Sequence, residues 1–369
     1  MHLFFVIVFG LYFLLLILLL VGWKGVASSR EEASLKALIT VVIPFRNEEN
    51  NLHQLIDDLG KINYPADRFE IILVNDHSVD RSVEIVTLFI SSIVNFKMLS
   101  LPTGKEGKKQ AITLAIENAT GEIIVTTDAD CRVPVKWLHI INNCFTDGRR
   151  KMVLGGVRIT ESSHPFSQWQ ALEFCSLMGV TSSSSGLGFP TMCNGANLAY
   201  LKSAFMEVDG YQGNFEIASG DDEFLMRKIF HRFPEGIYFL AESESVVSTG
   251  HQKTFFNFVQ QRLRWAGKWK HNSSWIARGL AVFVLLFQIS FLLLVALAVF
   301  RRIEIQLVIL LVGLKLILES FFLYRVSVFL RVKWRTIHFL LLQFVYPVYV
   351  IFMGVASLLM TYEWKGRKN

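Results

Sequence analysis

The feature that most constrains this chain is a set of long apolar stretches. No charge interrupts Leu3 to Gly22, and three comparable stretches lie near the other end, at Trp275 to Phe300, Ile305 to Tyr324 and Ile337 to Tyr362. A helix of about 20 apolar residues crosses the roughly 30 Å hydrocarbon core of a bilayer. The composition agrees: 52% hydrophobic residues and a mean hydropathy of +0.40 exclude an ordinary soluble protein. Between the apolar stretches lies a segment of globular composition, large enough for one sizeable domain. The chain therefore divides into an N-terminal anchor (1–24), a globular domain (33–250), an amphipathic interfacial segment (251–274), a C-terminal transmembrane region (275–362) and a basic tail (363–369).

No basic stretch precedes the first apolar run, so it reads as an uncleaved anchor rather than a signal peptide. Lys24 and Arg30 follow it, which by the positive-inside tendency places the globular domain in the cytoplasm of a multi-pass protein of the cell (inner or plasma) membrane. The cysteines Cys131, Cys144, Cys175 and Cys193 have no zinc or redox spacing and read as free thiols. The net charge of +6 sits largely on membrane flanks such as Arg325, Arg331, Lys333 and Arg335, which suits lipid headgroups and not nucleic acid. Three late spans would leave the C-terminus outside, whereas Lys365, Arg367 and Lys368 favour the cytoplasm, so one stretch is expected to be re-entrant or interfacial. Lys315 and Glu319, four apart, are expected to pair on one helix face inside the bilayer.

The globular segment alternates strand-like and helix-like runs. Strands are expected at Leu38 to Pro44, Phe69 to Val74, Lys97 to Leu101 and Glu122 to Thr127, with helices at Glu49 to Leu59, Val83 to Ile93 and Lys108 to Asn118. Such alternation predicts a parallel, doubly wound α/β sheet that binds ligands at the carboxyl ends of its strands, where Arg46, Asp76 and Asp128 fall. Neither a Gly-x-Gly-x-x-Gly after the first strand nor a Gly-Lys-Ser/Thr loop is present.

The acids carry the chemistry. Asp128-Ala129-Asp130 puts two carboxylates at a strand end, alternating so that both point one way, which suits a hard divalent cation bridging two phosphates; a turn or helix cap is the bland alternative. Asp76 is placed to accept from a base or ribose, and Asp80 to cap the following helix. Gly220-Asp221-Asp222-Glu223 opens a helix, where acids are favoured by the macrodipole, yet one of them can serve as a general base. Gln261-Arg262-Leu263-Arg264-Trp265 lies in an amphipathic stretch, Phe255 to Trp269, in which Phe255, Phe258, Trp269 and Lys270 read as membrane-interface residues. Arg264 can neutralise a diphosphate and Trp265 can stack on a sugar. His251 is a candidate third metal ligand, with a structural role as its rival.

Taken in order, Val41 to Asn47 with Glu48, Val74-Asn75-Asp76, Gly107-Lys108-Lys109, Asp128-Ala129-Asp130, Asn194-Gly195-Ala196-Asn197, Gly220-Asp221-Asp222 and Gln261-x-x-Arg264-Trp265 resemble the inverting family 2 glycosyltransferases of GT-A fold. The resemblance covers about Leu38 to Lys270, and the anchors on both sides are similar to those of membrane members such as ceramide glucosyltransferase and the hyaluronan, cellulose and poly-N-acetylglucosamine synthases. It implies a doubly wound mixed sheet with one N-terminal and about three C-terminal transmembrane helices. It further implies a nucleotide-sugar donor, UDP-linked in the expectation, a glycan or lipid acceptor and a divalent metal, Mn2+ or Mg2+. On this basis Pro44, Arg46, Glu48 and Asp76 hold the nucleoside with Lys109 nearby, Asp128 meets the nucleotide, and Asp130 the metal. Asp222 is the expected base and Gln261, Arg264 and Trp265 close over the diphosphate and acceptor. Two departures matter: the family's Thr-Glu-Asp appears as Gly220-Asp221-Asp222, which makes Asp221 a rival base, and the few late spans argue against processive export. Transfer to a polyprenyl phosphate is an alternative reaction, and a non-catalytic polysaccharide-binding or transport scaffold an alternative of another class.

Overall fold

The structure is a computed structural model describing residues 1–26, 36–90, 95–216, 220–267 and 274–360, with the backbone of 363–364 and 367–368. Arg30, Trp269, Lys270 and Lys365 lie outside the described residues. In chain order the elements are α1 (His2–Gly25), β1 (Ile39–Phe45), α2 (Leu52–Gly60), β2 (Phe69–Asn75), α3 (Ser82–Ile90), β3 (Phe96–Ser100), α4 (Lys108–Glu117) and β4 (Ile123–Thr126). There follow β5 (Cys131–Arg132), α5 (Trp137–Cys144), β6 (Met152–Gly155), β7 (Val157–Ile159), α6 (Pro165–Gly186), β8 (Leu198–Leu201), α7 (Lys202–Glu207) and α8 (Asp221–Arg232). The last are β9 (Ile237–Leu240), β10 (Val247–Thr249), α9 (Phe255–Gly267), α10 (Trp275–Val299), α11 (Ile305–Leu330), α12 (Thr336–Leu359) and the two-residue strands β11 (Glu363–Trp364) and β12 (Arg367–Lys368). The chain forms two units, one of 25–160 with 184–250 and the other of 1–24, 161–183 and 251–369.

The first unit is built on a seven-stranded sheet of order β3-β2-β1-β4-β8-β6-β9. Strands β1 to β4 pair in parallel as expected. Of these, β1, β2 and β4 are β-branched runs buried almost without interruption on both faces, as a sheet covered by helices on either side requires, while β3 is an edge strand with a single buried residue, Phe96. The sheet as a whole is mixed, because β8 runs antiparallel to both β4 and β6. That corrects the purely parallel reading and agrees with the mixed sheet the resemblance implies. A second sheet of order β5-β10-β7 adjoins it in the same unit. Register then fixes the site: Phe45 lies beside Asn75 and Val42 beside Thr126, so the residues after each strand, Arg46, Asp76 and Asp128, emerge on one edge.

At the opposite end of β2, Glu70 is a buried pin. Its carboxylate accepts from Thr40 Oγ1 (2.8 Å), the Thr120 amide (2.6 Å) and hydroxyl (2.7 Å), and Lys97 Nζ (2.6 Å). Burial alone would raise its pKa; the Lys97 ammonium and the Thr120 and Thr40 donors outweigh it and hold the group at about 2.

Among the described residues, the second unit contains four helices long and apolar enough to cross a membrane, α1, α10, α11 and α12. All three late stretches are thus helices of spanning length. Their outward faces expose Leu14, Leu286, Ile309 and Phe344 among many apolar side chains, whereas inward positions carry a polar cluster. Lys315 donates to Glu319 (3.0 Å) and to Gln343 of α12, Tyr12 of α1 donates to Glu319 (2.6 Å), and the Tyr12 ring stacks 3.7 Å from that of Phe287 in α10. The expected i, i+4 pair therefore exists, and side chains from other helices complete its hydrogen bonds.

Candidate active site

The acids after β4 and at the start of α8 converge on one cation. Lys108, the first residue of α4, places its Nζ 2.6 Å from Asp128 Oδ1 and 3.5 Å from Asp221 Oδ2. Burial opposes the charge of this ammonium, but the carboxylates of Asp128 and Asp221 outweigh it and push its pKa up. Asp222 is buried, and each of its oxygens takes a backbone amide, Gly195 at 3.1 Å and Glu223 at 2.9 Å. Gly195 is held in turn by Thr126 Oγ1, which donates to its carbonyl (2.8 Å). The approach is close: a Cβ at position 195 would lie 3.0 Å from Lys108 Nζ, so the lysine would have to shift, and 3.6 Å from the Asp222 Cβ. The Asn-Gly-Ala-Asn turn is anchored further by Asn197, whose side chain accepts from Trp137 Nε1 and donates to the carbonyls of Gly156 and Ser245.

A second group of predicted residues lines the ends of β1 and β2. The Arg46 guanidinium donates to the Asp76 carbonyl (3.2 Å) and stands 4.0 Å from its carboxylate. Asp76 Oδ2 accepts from the Gly107 amide (3.1 Å), which ties it to the start of α4. Gly107 has φ +93°, a conformation side chains resist, and this lets its amide face the aspartate while α4 departs. Glu48 is buried and accepts from Asn51, and Pro44 is the half-buried penultimate residue of β1. Asp80 takes the capping role, accepting from the Ser82 amide (3.0 Å), and also binds the Glu49 amide. Lys109 is buried, with its ammonium donating to the Asn214 carbonyl (2.7 Å). The lysine among the acids is Lys108, which sequence reasoning did not single out. Neighbours on a helix point about 100° apart, and here it is Lys108 whose ammonium meets Asp128 and Asp221.

Asp128, Asp130 and Cys131 bring one ligand atom each within 4.8 Å of one another. Burial, followed by the negative charge of Asp130 and Asp128, drives the Cys131 thiol far above its ordinary pKa. Its Sγ is turned to Asp130 Oδ1 (3.7 Å). The two carboxylates of the group are hard oxygen donors of the kind that fits Mn2+ or Mg2+.

The remaining predicted residues belong to the other unit. Gln261, Arg264 and Trp265 lie on α9, with Trp265 packed on Phe174 (5.7 Å between ring centroids). His251, half-buried, precedes that helix and belongs to the same unit. Sequence reasoning also passed over Arg262, which is buried in an ion pair with Glu173.

Residues 40–209 match the family model for Glycosyl transferase family 2. A probable glycosyltransferase, YdaM of Bacillus subtilis, is 29% identical over 144 residues, covering 38% of this chain and 34% of the relative. Poly-beta-1,6-N-acetyl-D-glucosamine synthase of Staphylococcus epidermidis is 25% identical over 230 residues, 62% of this chain and 53% of the relative. The chain thus spans between about a third and half the length of these curated relatives. Among solved structures, the mannosyltransferase PcManGT of Pyrobaculum calidifontis, in complex with GDP-Man and Mn2+, aligns over 97% of this chain and 99% of its own, with a TM-score of 0.63 and 18% identity, which shows a shared GT-A fold. Through residues 40–209, with this fold and these strand-end acids, the chain carries a domain that matches glycosyltransferase family 2.

Proposed function

We propose that this protein is a membrane-bound inverting glycosyltransferase that moves a sugar from a nucleotide-diphospho-sugar, UDP-linked in our reading, to a hydroxyl of a glycan or lipid acceptor. The observation that carries this is the convergence of Asp128, Asp221 and Asp222 around Lys108, on the sheet edge that also bears Arg46 and Asp76. The relatives' names and the GDP-Man and Mn2+ held by the structural neighbour support it.

In this reading Arg46, Glu48 and Asp76, with Pro44 beneath them, form the nucleoside side of the site. Lys109, bonded to Asn214, supports the start of α4. A divalent cation held by Asp128 and Asp130 would supply positive charge to the diphosphate and ease its departure. Lys108 offers the diphosphate a second cation from the same place. Asp222 takes the proton of the acceptor hydroxyl as that oxygen bonds to the anomeric carbon; the carbon's bond to the diphosphate oxygen breaks on the opposite face, inverting the centre. Backbone amides on both oxygens of Asp222 fix its direction, whereas Asp221 is committed to Lys108, which favours Asp222 as the base. Gln261, Arg264 and Trp265 keep the diphosphate and acceptor roles that the resemblance implies, and His251 remains a candidate. In the same reading the four helices of membrane-crossing length hold the enzyme in a bilayer, and Lys24, at the end of the first, supports a cytoplasmic globular domain.

The test is a screen of purified full-length protein with Mn2+ against UDP-glucose, UDP-N-acetylglucosamine and GDP-mannose, scored by release of nucleoside diphosphate. Metal-dependent release from one of them is expected. No release from any donor, with or without membrane lipid extract as acceptor, refutes the proposal.

A further inference from the structure

Arg262 occupies one of the two unspecified positions of Gln261-x-x-Arg264-Trp265, yet it joins two residues of that motif to the rest of its unit. Its side chain is only 3% exposed and that of Glu173, in α6, 8%. The guanidinium donates Nε to Glu173 Oε1 (3.3 Å) and Nη2 to Oε2 (2.6 Å), a two-pronged pair. Nη1 donates to Gln261 Oε1 (2.6 Å). One face of the same plane lies 4.2 Å from the Trp265 ring centroid, and the Phe258 ring is 4.5 Å away. Tyr349 of α12 donates its hydroxyl to Glu173 Oε1 (3.3 Å), so a membrane-spanning helix is part of the same network.

Burying two charges costs several kcal/mol apiece, and well-packed apolar residues of similar volume hold helices together as well or better. The ion pair is thus a poor way to gain stability and an effective way to gain direction. A planar fork with donors on three nitrogens and a flat face for an aromatic ring is a property of arginine that lysine lacks. We propose that Arg262 and Glu173 are positioning residues, which set the side chains of Gln261 and Trp265 for the reaction. This rests on the function proposed above; neither residue is assigned contact with substrate.

The test is the charge-swapped, full-length Glu173→Arg/Arg262→Glu protein in detergent, beside Glu173→Gln and Arg262→Lys. Three quantities are read: the melting midpoint, oxidative labelling of Trp265 by mass spectrometry, and diphosphate release from UDP-N-acetylglucosamine and GDP-mannose with Mn2+. The swap keeps an ion pair but leaves no cation over Trp265 and no donor for Gln261 Oε1. It should recover most of the midpoint that Glu173→Gln loses, while Trp265 labelling rises several-fold. Its kcat should fall by about tenfold or more with donor KM changed by less than about threefold, the pattern of a group lost from the transition state alone. Arg262→Lys, which keeps the charge and loses the fork, should show the same split if the swapped protein fails to fold. Parent-level turnover in either variant, or parent-level labelling of Trp265, overturns the proposal. A parent protein that releases diphosphate from neither donor counts against the functional reading, and the labelling then decides the positioning role by itself.

Discussion

Replacing Lys108 by methionine should strengthen the binding of Mn2+ to the nucleotide-free protein. The ammonium sits 2.6 Å from Asp128 Oδ1, an oxygen the cation is proposed to use, so metal binding must displace it. Lys108 is 24% exposed and Asp128 38%. Such a half-buried contact falls between the roughly 0–1 kcal/mol of surface pairs and the roughly 3–5 kcal/mol lost when a fully buried pair is broken, which sets the competition at about 1–2 kcal/mol. At about 1.4 kcal/mol per decade, removing it should lower the Mn2+ Kd about 5- to 30-fold. The assay is calorimetric titration of Mn2+ into the full-length protein without nucleotide. Lys109→Met is the internal control and should leave the Kd unchanged, because its ammonium binds the Asn214 carbonyl. Turnover of Lys108→Met should move the other way, down about 100-fold, as the departing diphosphate loses a fixed cation. An Mn2+ affinity equal to or weaker than that of the parent would refute the idea that lysine and metal compete for Asp128.

Asp222→Asn should abolish transfer, below about one part in a thousand of parental kcat, with nucleotide Kd changed less than about threefold by calorimetry; persistent turnover would move the base to Asp221. Glu70 is lowered in the folded protein to about 2, so the stability it contributes is full above the ordinary carboxylate pKa and is lost as pH falls from about 4.5 toward 2. Glu70→Gln should therefore lower stability at pH 7 by about 1–2 kcal/mol, discounted for the half-exposed Lys97 partner, and flatten the acid limb of a melting-midpoint profile. An unchanged acid limb would exclude Glu70 as its source. In the membrane unit, Tyr12→Phe and Glu319→Gln should couple by about 0.6–1.7 kcal/mol in a double-mutant cycle of detergent-phase unfolding, and strict additivity would show that the 2.6 Å contact does not help dock α1.

What the sequence made legible, and what it hid, divides along the reach of each interaction. Strands β1, β2 and β4 were readable because Val41, Ile72, Leu73 and Val125 are buried on both sides of the sheet, which writes short, continuous β-branched apolar runs bounded by polar loops. The four-residue β8 was not, since its antiparallel place between β4 and β6 depends on strands far away in the chain. The site follows the same rule. Asp76, Asp128 and Asp222 could be found from sequence because short side chains stay where the backbone puts them, and a strand end or helix start is a local feature. Cations could not. Lys108 and Lys109 are adjacent and chemically identical, yet one reaches Asp128, after β4, and the other Asn214, after α7, partners distant in the chain. Arg262 was overlooked for the same reason: its partner Glu173 lies on another helix, and a family motif that leaves its position open says nothing of what a long side chain finds there. Where acids are placed by strand ends and helix starts and long cationic side chains reach their partners from other elements, the acids are legible in the sequence, while the partners of those cations become visible only once the chain is folded.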